Sequence, residues 1–149
     1  MNSRTIIDHF LNNKDMAIAG VSRDTKKFGY HVFKTLTDKG YNIIPVNPSA
    51  DAIDGIFCIH AIHDIPSGIN NLLIVTHKDK SKMVIQEAIE KGIKNIWIQN
   101  GCETEEAIQL ATDNNINLVA KACILMYASP KGFHKFHQRL ARLFGQYVS

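Results

Sequence analysis

The chain has 149 residues and a formal charge of +3 at pH 7, and 45% of its residues are hydrophobic. A chain of this length buries roughly 68–70% of its unfolded surface, which is enough for one domain with its own core. The small net charge does not point to nucleic acid or to a membrane surface as a partner, and no apolar run reaches the roughly 18 residues that span a bilayer. The three cysteines are widely spaced and do not predict disulfides. Because the N-terminal residues also lack the apolar stretch of a signal peptide, we expect a single cytoplasmic domain over residues 1–149.

The first elements in chain order are a short helix and a buried strand. Ile7 and Phe10 share one face of that helix, and Thr5 is its expected N-cap. Apolar runs predict five strands, at 16–21, 41–46, 71–76, 94–99 and 116–120. The stretch from residue 50 to residue 65 is less regular and predicts either one short strand at 57–59 or a loop.

Apolar residues at helical spacing predict helices between these strands. The first begins near Phe28 and ends at Gly40, because glycine is favoured just after a helix. The second ends at Gly92 and places Glu87 four residues before Lys91, a spacing that favours an ion pair.

Two further helices are expected in the last third of the chain. Thr104 is the predicted N-cap of one, which runs to about Asn114. The other covers about residues 131–147 and carries an apolar, aromatic stripe. That stripe either docks on the sheet or pairs two subunits, so we expect a monomer or a homodimer.

Strands that alternate with helices of this length predict a parallel sheet. The expected fold is α/β: a Rossmann-like, doubly wound, mainly parallel sheet with helices on both faces, whose core covers about residues 14–126. Ligands in such folds bind outside the carboxyl ends of the strands. The residues that follow each strand are therefore the candidates for a site.

The loop after the first strand reads GVSRDTKKFG and predicts an anion site. Gly20 allows close approach of a ligand, Ser22 supplies a hydroxyl, and the next helix offers free N–H groups. Lys26 and Lys27 are placed to meet phosphate oxygens. The alternative is a polar loop with solvated lysines, since the loop lacks the G-x-G-x-x-G of dinucleotide-binding proteins.

The second strand ends without the acidic residue that holds the ribose of NAD. Asn47 stands there between Pro45 and Pro48, and the next carboxylate is Asp51. This disfavours NAD and suits either a nucleotide whose ribose carries a phosphate or a nucleotide bound in a different pose. The arginine that is typical of NADP sites does not follow this strand either.

Two runs, AIAGVSRDTKKFGYHVFKTLTDKGYNIIPVNP and IKNIWIQNGCETEEAIQLATDNNINLVAKAC, together with their order and separation, carry a resemblance. The chain resembles the small stand-alone CoA-binding proteins, relatives of the CoA-binding domain of the succinyl-CoA synthetase alpha subunit, from about Lys14 to Met126. The resemblance implies a protein that binds coenzyme A or an acyl-CoA through its ADP portion. Relatives often read DRC where this chain has Lys121, Ala122 and Cys123.

The resemblance also implies four groups of ligand-binding residues. Those at the pyrophosphate would be Gly20, Val21 and Ser22, with the phosphate charge countered by Arg23, Lys26 or Lys27. The helix behind them would be opened by Gly29 and Tyr30. The adenosine end would face Val46, Asn47 and Pro48. The pantetheine side would be bordered by Thr76, Gln99 and Gly101.

The sequence shows no catalytic constellation and no metal-binding set, so we expect binding without catalysis. The alternative is an NADP(H)-dependent oxidoreductase, or another nucleotide-using enzyme, that employs the same cleft. Cys102 and Cys123 follow predicted strands, and we expect them to be small, buried or half-buried side chains; the alternative is a thiol of lowered pKa that forms a mixed disulfide with CoA.

Overall fold

A five-stranded parallel sheet forms the centre of the protein. The computed structural model describes residues 2–128, and the helix predicted at about 131–147 lies outside them. The strands of the central sheet are β1 (Asp15–Ala19), β2 (Asn42–Val46), β5 (Asn71–Ile74), β6 (Asn95–Gln99) and β7 (Asn117–Ala122). Their order is β2-β1-β5-β6-β7, and every neighbouring pair is parallel. The predicted α/β class with a mainly parallel sheet is confirmed.

Helices cover both faces of this sheet. They are α1 (Arg4–Asn12), α2 (Phe28–Asp38), α3 (Lys78–Lys91), α4 (Glu105–Asp113) and α5 (Leu125–Ala128). Alternate residues of β1 face opposite sides of the sheet. Met16 and Ile18 pack with α1, α2 and α5, whereas Ala17 and Ala19 pack with α3 and α4. All four are buried, as expected for a strand covered on both faces.

Most of the predicted helix ends are confirmed, with one correction. Thr104 Oγ1 accepts from the Ala107 N–H, and Gly92 ends α3 in the left-handed conformation, at φ +87°. Thr5, however, is not the N-cap of α1. Ser3 takes that role, because α1 begins at Arg4 and the Ser3 hydroxyl accepts from the Ile6 N–H at 3.2 Å.

The segment between β2 and β5 forms a small hairpin rather than one strand at 57–59. Its strands are β3 (Ala52–Ile53) and β4 (Ile56–Phe57), which pair antiparallel. Asp54 and Gly55 join them with φ of +52° and +77°, the pattern of a type I′ turn. The Asp-Gly pair was the local signal for this turn, and the sequence prediction missed it.

The chain order creates a crevice between β1 and β5. After β1 the chain crosses to β2 on one side, and it later returns to β5 on the other side of β1. The loops that leave β1 and β5 therefore diverge to opposite sides of the sheet. This divergence is where doubly wound sheets bind their ligands.

Candidate functional site

A cleft of about 450 Å³ opens at the carboxyl ends of β1, β2 and β5. It extends from these strand ends along one face of α3, and residues 60–62 also line it. The residues that line it are Ala19, Gly20, Val21, Ser22, Val46, Asn47, Pro48, His60, Ala61, Ile62, Val75, Thr76, His77, Lys80, Met83, Val84 and Glu87. The wall is mostly apolar with a few polar groups, which is typical of small-molecule sites.

Gly20 and Gly29 bring the backbone elements around the cleft into close contact. Gly20 has φ +101°, and a Cβ placed on it would lie 2.6 Å from the Thr76 backbone nitrogen. A Cβ on Gly29 would lie 2.5 Å from the Gly20 carbonyl oxygen. At both positions the nearest neighbour is protein backbone, so these glycines shape the site by packing as well as by any approach of ligand.

The loop between β1 and α2 is held by its own hydrogen bonds. Ser22 Oγ accepts from the Asp24 N–H, and Asp24 Oδ1 accepts from the Lys26 N–H, both at 3.0 Å. The side chains of Arg23, Lys26 and Lys27 are exposed, and within residues 2–128 none of them forms a salt bridge. Three exposed cations thus share this loop with one carboxylate, that of Asp24, and within the described residues none of the three forms a salt bridge with it.

The N-terminus of α2 faces the same loop and lacks a side-chain cap. Its N-cap is Lys27, whose side chain cannot accept a hydrogen bond from the first turn. The first N–H groups of an α-helix have no partner within the helix and favour an anion. Together with the cations of the loop, they make this end of the cleft electropositive.

Asn47 ties the loop after β1 to the loop after β2. Its Nδ2 donates to the Val21 carbonyl oxygen at 2.8 Å, and its Oδ1 accepts from the N–H groups of Ser49 and Ala50 at 2.8 and 2.9 Å. Most of the amide is therefore committed to the protein. Asn47 shapes the place where the acidic residue of an NAD site would stand.

Thr76 brings an unsatisfied hydroxyl to the cleft. Its Oγ1 is buried and has no hydrogen-bond partner within the described residues. Just beyond it, His77 Nδ1 accepts from the Asp79 N–H at 3.2 Å and caps α3. A buried hydroxyl without a partner carries a free-energy cost that a bound ligand can remove.

Half of the residues named from the sequence line this cleft. They are Gly20, Val21, Ser22, Val46, Asn47, Pro48 and Thr76. The residues outside its wall are Arg23, Lys26, Lys27, Gly29, Tyr30, Gln99 and Gly101.

Three of the residues outside the wall have identified partners in the protein. Gln99 is buried, and its Oε1 accepts from the Ile124 N–H at 3.0 Å. The Gly101 N–H donates to Glu103 in the turn after β6, and the Tyr30 hydroxyl donates to Asp54 at 2.7 Å. Gln99 thus holds the end of β6 rather than facing the cleft.

The sequence analysis missed the wall that α3 contributes. Lys80, Met83, Val84 and Glu87 recur at helical spacing and all line the cleft. The signal was present, since a helix that follows a central strand lies beside the carboxyl end of the sheet. Residues 60–62 carried no comparable signal, because their position depends on the hairpin that precedes them.

The cysteines give no support to a reactive thiol in this cleft. Burial raises the pKa of Cys102 to about 11, and the nearby Glu103 carboxylate adds to the shift. Burial also raises the pKa of Cys123. A thiol with a raised pKa is a poor nucleophile near neutral pH, and neither cysteine lines the cleft.

The described residues hold neither a metal-binding cluster nor a helix that could span a membrane. Within residues 2–128, no three His, Cys, Asp or Glu side chains cluster in a way that could hold a metal ion. No helix in that range is long and apolar enough to cross a membrane.

Comparison with known sequences identifies one family and several relatives. The sequence model of a family described as a CoA binding domain matches residues 14–129. The alpha subunit of an ADP-forming acetate–CoA ligase II from Pyrococcus furiosus is 28% identical over 130 residues, which covers 80% of this chain. The chain spans only 28% of that subunit. The uncharacterized protein YneT of Bacillus subtilis is 28% identical over 112 residues, which cover 75% of this chain and 83% of YneT.

Two small proteins of known structure share the fold. A conserved hypothetical protein from Pyrococcus furiosus has a TM-score of 0.73 at 29% identity, over 75% of this chain and 97% of that one. A hypothetical protein from Pyrococcus horikoshii OT3 has a TM-score of 0.77 at 26% identity, over 93% of this chain and 92% of that one. In both cases the similarity extends over nearly the whole of the other chain.

Proposed function

Because this chain belongs to the CoA-binding domain family, we propose that its cleft binds coenzyme A or an acyl-CoA through the ADP-pyrophosphate portion. The proposal assigns a binding function and no reaction. Its main support is the coincidence of the family match with a cleft at the divergence of β1 and β5. The loop that continues from Ser22 in the cleft wall carries three cations that form no salt bridge within the described residues, and it leads into a helix without a side-chain cap.

The electropositive end of the cleft suits the phosphates of CoA. CoA carries a 3′-phosphate besides its pyrophosphate, so it needs more than one cationic contact. Arg23, Lys26 and Lys27 supply three exposed cations, and the first turn of α2 supplies N–H donors. Ser22 keeps its hydroxyl proton for a ligand, because its oxygen acts only as an acceptor towards the Asp24 N–H.

The remainder of the cleft suits the rest of the molecule. Thr76 carries a hydroxyl that has no partner among the described residues, and the apolar walls formed by Val46, Met83 and Val84 suit a base or an alkyl chain. We assign the residues outside the wall more distant roles. Gly29 sets the distance between α2 and the Gly20 carbonyl, and Gln99 holds the end of β6.

The first test is calorimetric titration of the protein with CoA, dephospho-CoA and NADPH. We expect CoA to bind, and dephospho-CoA to bind about tenfold more weakly, since a hydrogen bond to a charged group contributes about 1.5–3 kcal/mol. If saturating CoA gives neither heat nor a thermal shift, the proposal is wrong. If NADPH binds and CoA does not, the cleft serves a nicotinamide nucleotide instead.

A matched pair of variants locates the binding. Thr76→Val removes a hydroxyl that has no partner within the described residues, so the free protein should keep its stability while its affinity for CoA falls. Thr37→Val is the control. Thr37 Oγ1 is likewise buried without a described partner, but Thr37 lines a separate cavity with Asp15 and Asn42, where β1 and β2 begin. Equal CoA affinity in the two variants would place the ligand elsewhere.

A further inference from the structure

Glu87 is a carboxylate in the wall of a cleft that we assign to a polyanion. Its side chain is half-buried, and within residues 2–128 it forms no salt bridge and no hydrogen bond. The predicted ion pair with Lys91 is not formed. Lys91 Nζ instead donates to the His63 carbonyl oxygen at 2.9 Å, which ties the end of α3 to the segment after the hairpin.

The surroundings of Glu87 make this lack of a partner significant. The same cleft is lined by Val84 and Met83 of α3 and by Ala61 and Ile62. Lys80 of α3 also lines it, but its side chain is exposed and within the described residues it forms no salt bridge with Glu87. A half-buried carboxylate among apolar side chains has lost part of its hydration without a replacement donor. A ligand group with an N–H donor is therefore favoured beside Glu87, and an anionic group is disfavoured.

The position of Glu87 along α3 fixes the direction of the ligand. Glu87 lies nine positions after Lys78, the first residue of α3, which corresponds to about 14 Å along the helix. The loop cations and the N-terminus of α2 follow the carboxyl end of β1, at the end of the sheet where the cleft opens. At physiological ionic strength charges are screened over about 8 Å. The Glu87 carboxylate would therefore repel phosphates beside it but would have little effect on phosphates near the strand ends.

We infer that, within the CoA site proposed above, the part of the cleft that is lined by α3 and residues 60–62 receives the aminopurine base. The exocyclic amino group of the base then donates a hydrogen bond to the Glu87 carboxylate. Glu87 then selects an amino-bearing base. A base with a carbonyl oxygen at that position, such as hypoxanthine, would place two acceptors against each other there.

The experiment compares CoA with its deaminated analogue, which carries hypoxanthine instead of adenine. Affinities are measured by calorimetry for the wild-type protein, Glu87→Gln and Glu90→Gln. We expect the wild type to prefer CoA by about tenfold or more, because the lost hydrogen bond involves a charged acceptor. In Glu87→Gln the side-chain amide can rotate to donate or to accept, so the preference should largely disappear.

Glu90→Gln is the matched control, and it should retain the wild-type preference. It removes the same charge from the same helix, but Glu90 is exposed, accepts from Gln86 at 3.2 Å and does not line the cleft. Thermal unfolding of both variants checks that they are folded.

The outcomes separate this inference from the proposed function. If the wild type binds both ligands equally, or if Glu87→Gln keeps the preference, the role of Glu87 is wrong while CoA binding stands. If CoA does not bind at all, the proposed function itself fails. Adenosine 3′,5′-bisphosphate, which has the base but no pantetheine, provides a further arm. If Glu87→Gln weakens CoA and leaves this probe unchanged, the carboxylate faces a pantetheine amide, and the inference is overturned.

Discussion

Gly29 allows α2 to begin directly against the end of β1. A Cβ at this position would lie 2.5 Å from the Gly20 carbonyl oxygen and 3.3 Å from Val75 Cγ2. The first of these contacts is with backbone, which cannot move aside as the end of a flexible side chain can. The position of α2, and with it the electropositive end of the cleft, depends on the absence of this one atom.

We predict that Gly29→Ala lowers the free energy of unfolding by about 1–3 kcal/mol, the usual cost of inserting an atom into a packed region. Alanine favours the helix by about 1 kcal/mol relative to glycine, so a net loss would show that packing dominates. The measurement is urea unfolding. Gly68→Ala is the control, because nothing lies within 4 Å of its added Cβ. A Gly29→Ala protein as stable as Gly68→Ala would contradict the prediction.

Among the larger elements, the three strands β5, β6 and β7 begin with a row of asparagines. Asn71, Asn95 and Asn117 are paired in register. Asn117 donates to Asn95 Oδ1 at 2.9 Å, Asn95 donates to Asn71 Oδ1 at 3.0 Å, and Asn71 donates to the Phe10 carbonyl oxygen at 2.8 Å. The row links α1 to the amino ends of three strands, at the end of the sheet opposite the cleft.

We predict that Asn95→Ala lowers the free energy of unfolding by about 1–3 kcal/mol, because it leaves the buried side-chain oxygen of Asn71, Oδ1, without its donor. Asn117→Ala should cost less than about 1 kcal/mol, since Asn117 is the exposed end of the row. Urea unfolding of the two variants measures both losses of unfolding free energy. Equal losses would show that the burial of the hydrogen-bonded groups does not determine the effect of the substitutions. CoA affinity should be unchanged in both variants.

For the molecule as a whole, alkaline pH is a general source of instability. Burial raises the pKa of all three cysteines, most clearly that of Cys102, from its usual 9.0 to about 11. A group whose pKa is higher in the folded state holds its proton more tightly there. Its contribution to stability is complete below the unfolded pKa and is lost as the pH rises through the folded pKa.

We predict that the free energy of unfolding falls between pH 9 and pH 11, and that Cys102→Ala reduces this fall. Tyr30 and Lys34, whose pKa values are also raised, contribute to the same alkaline loss through their bonds to Asp54 and Asp38. Comparison of the variant with the wild type isolates the thiol. The measurement is urea unfolding at intervals across this range under reducing conditions. Parallel pH curves for the two proteins would show that Cys102 is not the source.

Much of the fold was predictable because its signals are local. All five strands of the sheet lie within two residues of the apolar runs that predicted them. Thr104 and Gly92 end their helices as expected, because capping depends on a residue and its immediate neighbours. The alternation of strands and helices also predicted the parallel sheet, and with it the end of the sheet, at the carboxyl ends of the strands, where a ligand site is expected.

The candidate site was predictable only in part. Asn47 was named from its place after a strand, Val21 and Thr76 from the family resemblance, and all three line the cleft. The Asn47 amide, however, is occupied by the two loops that it joins, and Gln99 is buried at the end of β6. Such partners lie far away along the chain, so the spacing of residues does not reveal them.

Glu87 shows most clearly where the sequence stopped and the tertiary structure decided. The sequence by itself determined the sheet, the helices and the chemistry available at the strand ends, since burial periodicity and capping act over a few residues. Only the folded chain brought the His63 carbonyl to Lys91, separated Lys91 from Glu87 and left that carboxylate in the cleft wall. The physical reason is that a side chain bonds to whichever partner packing places within reach, and packing joins elements that are distant in the chain.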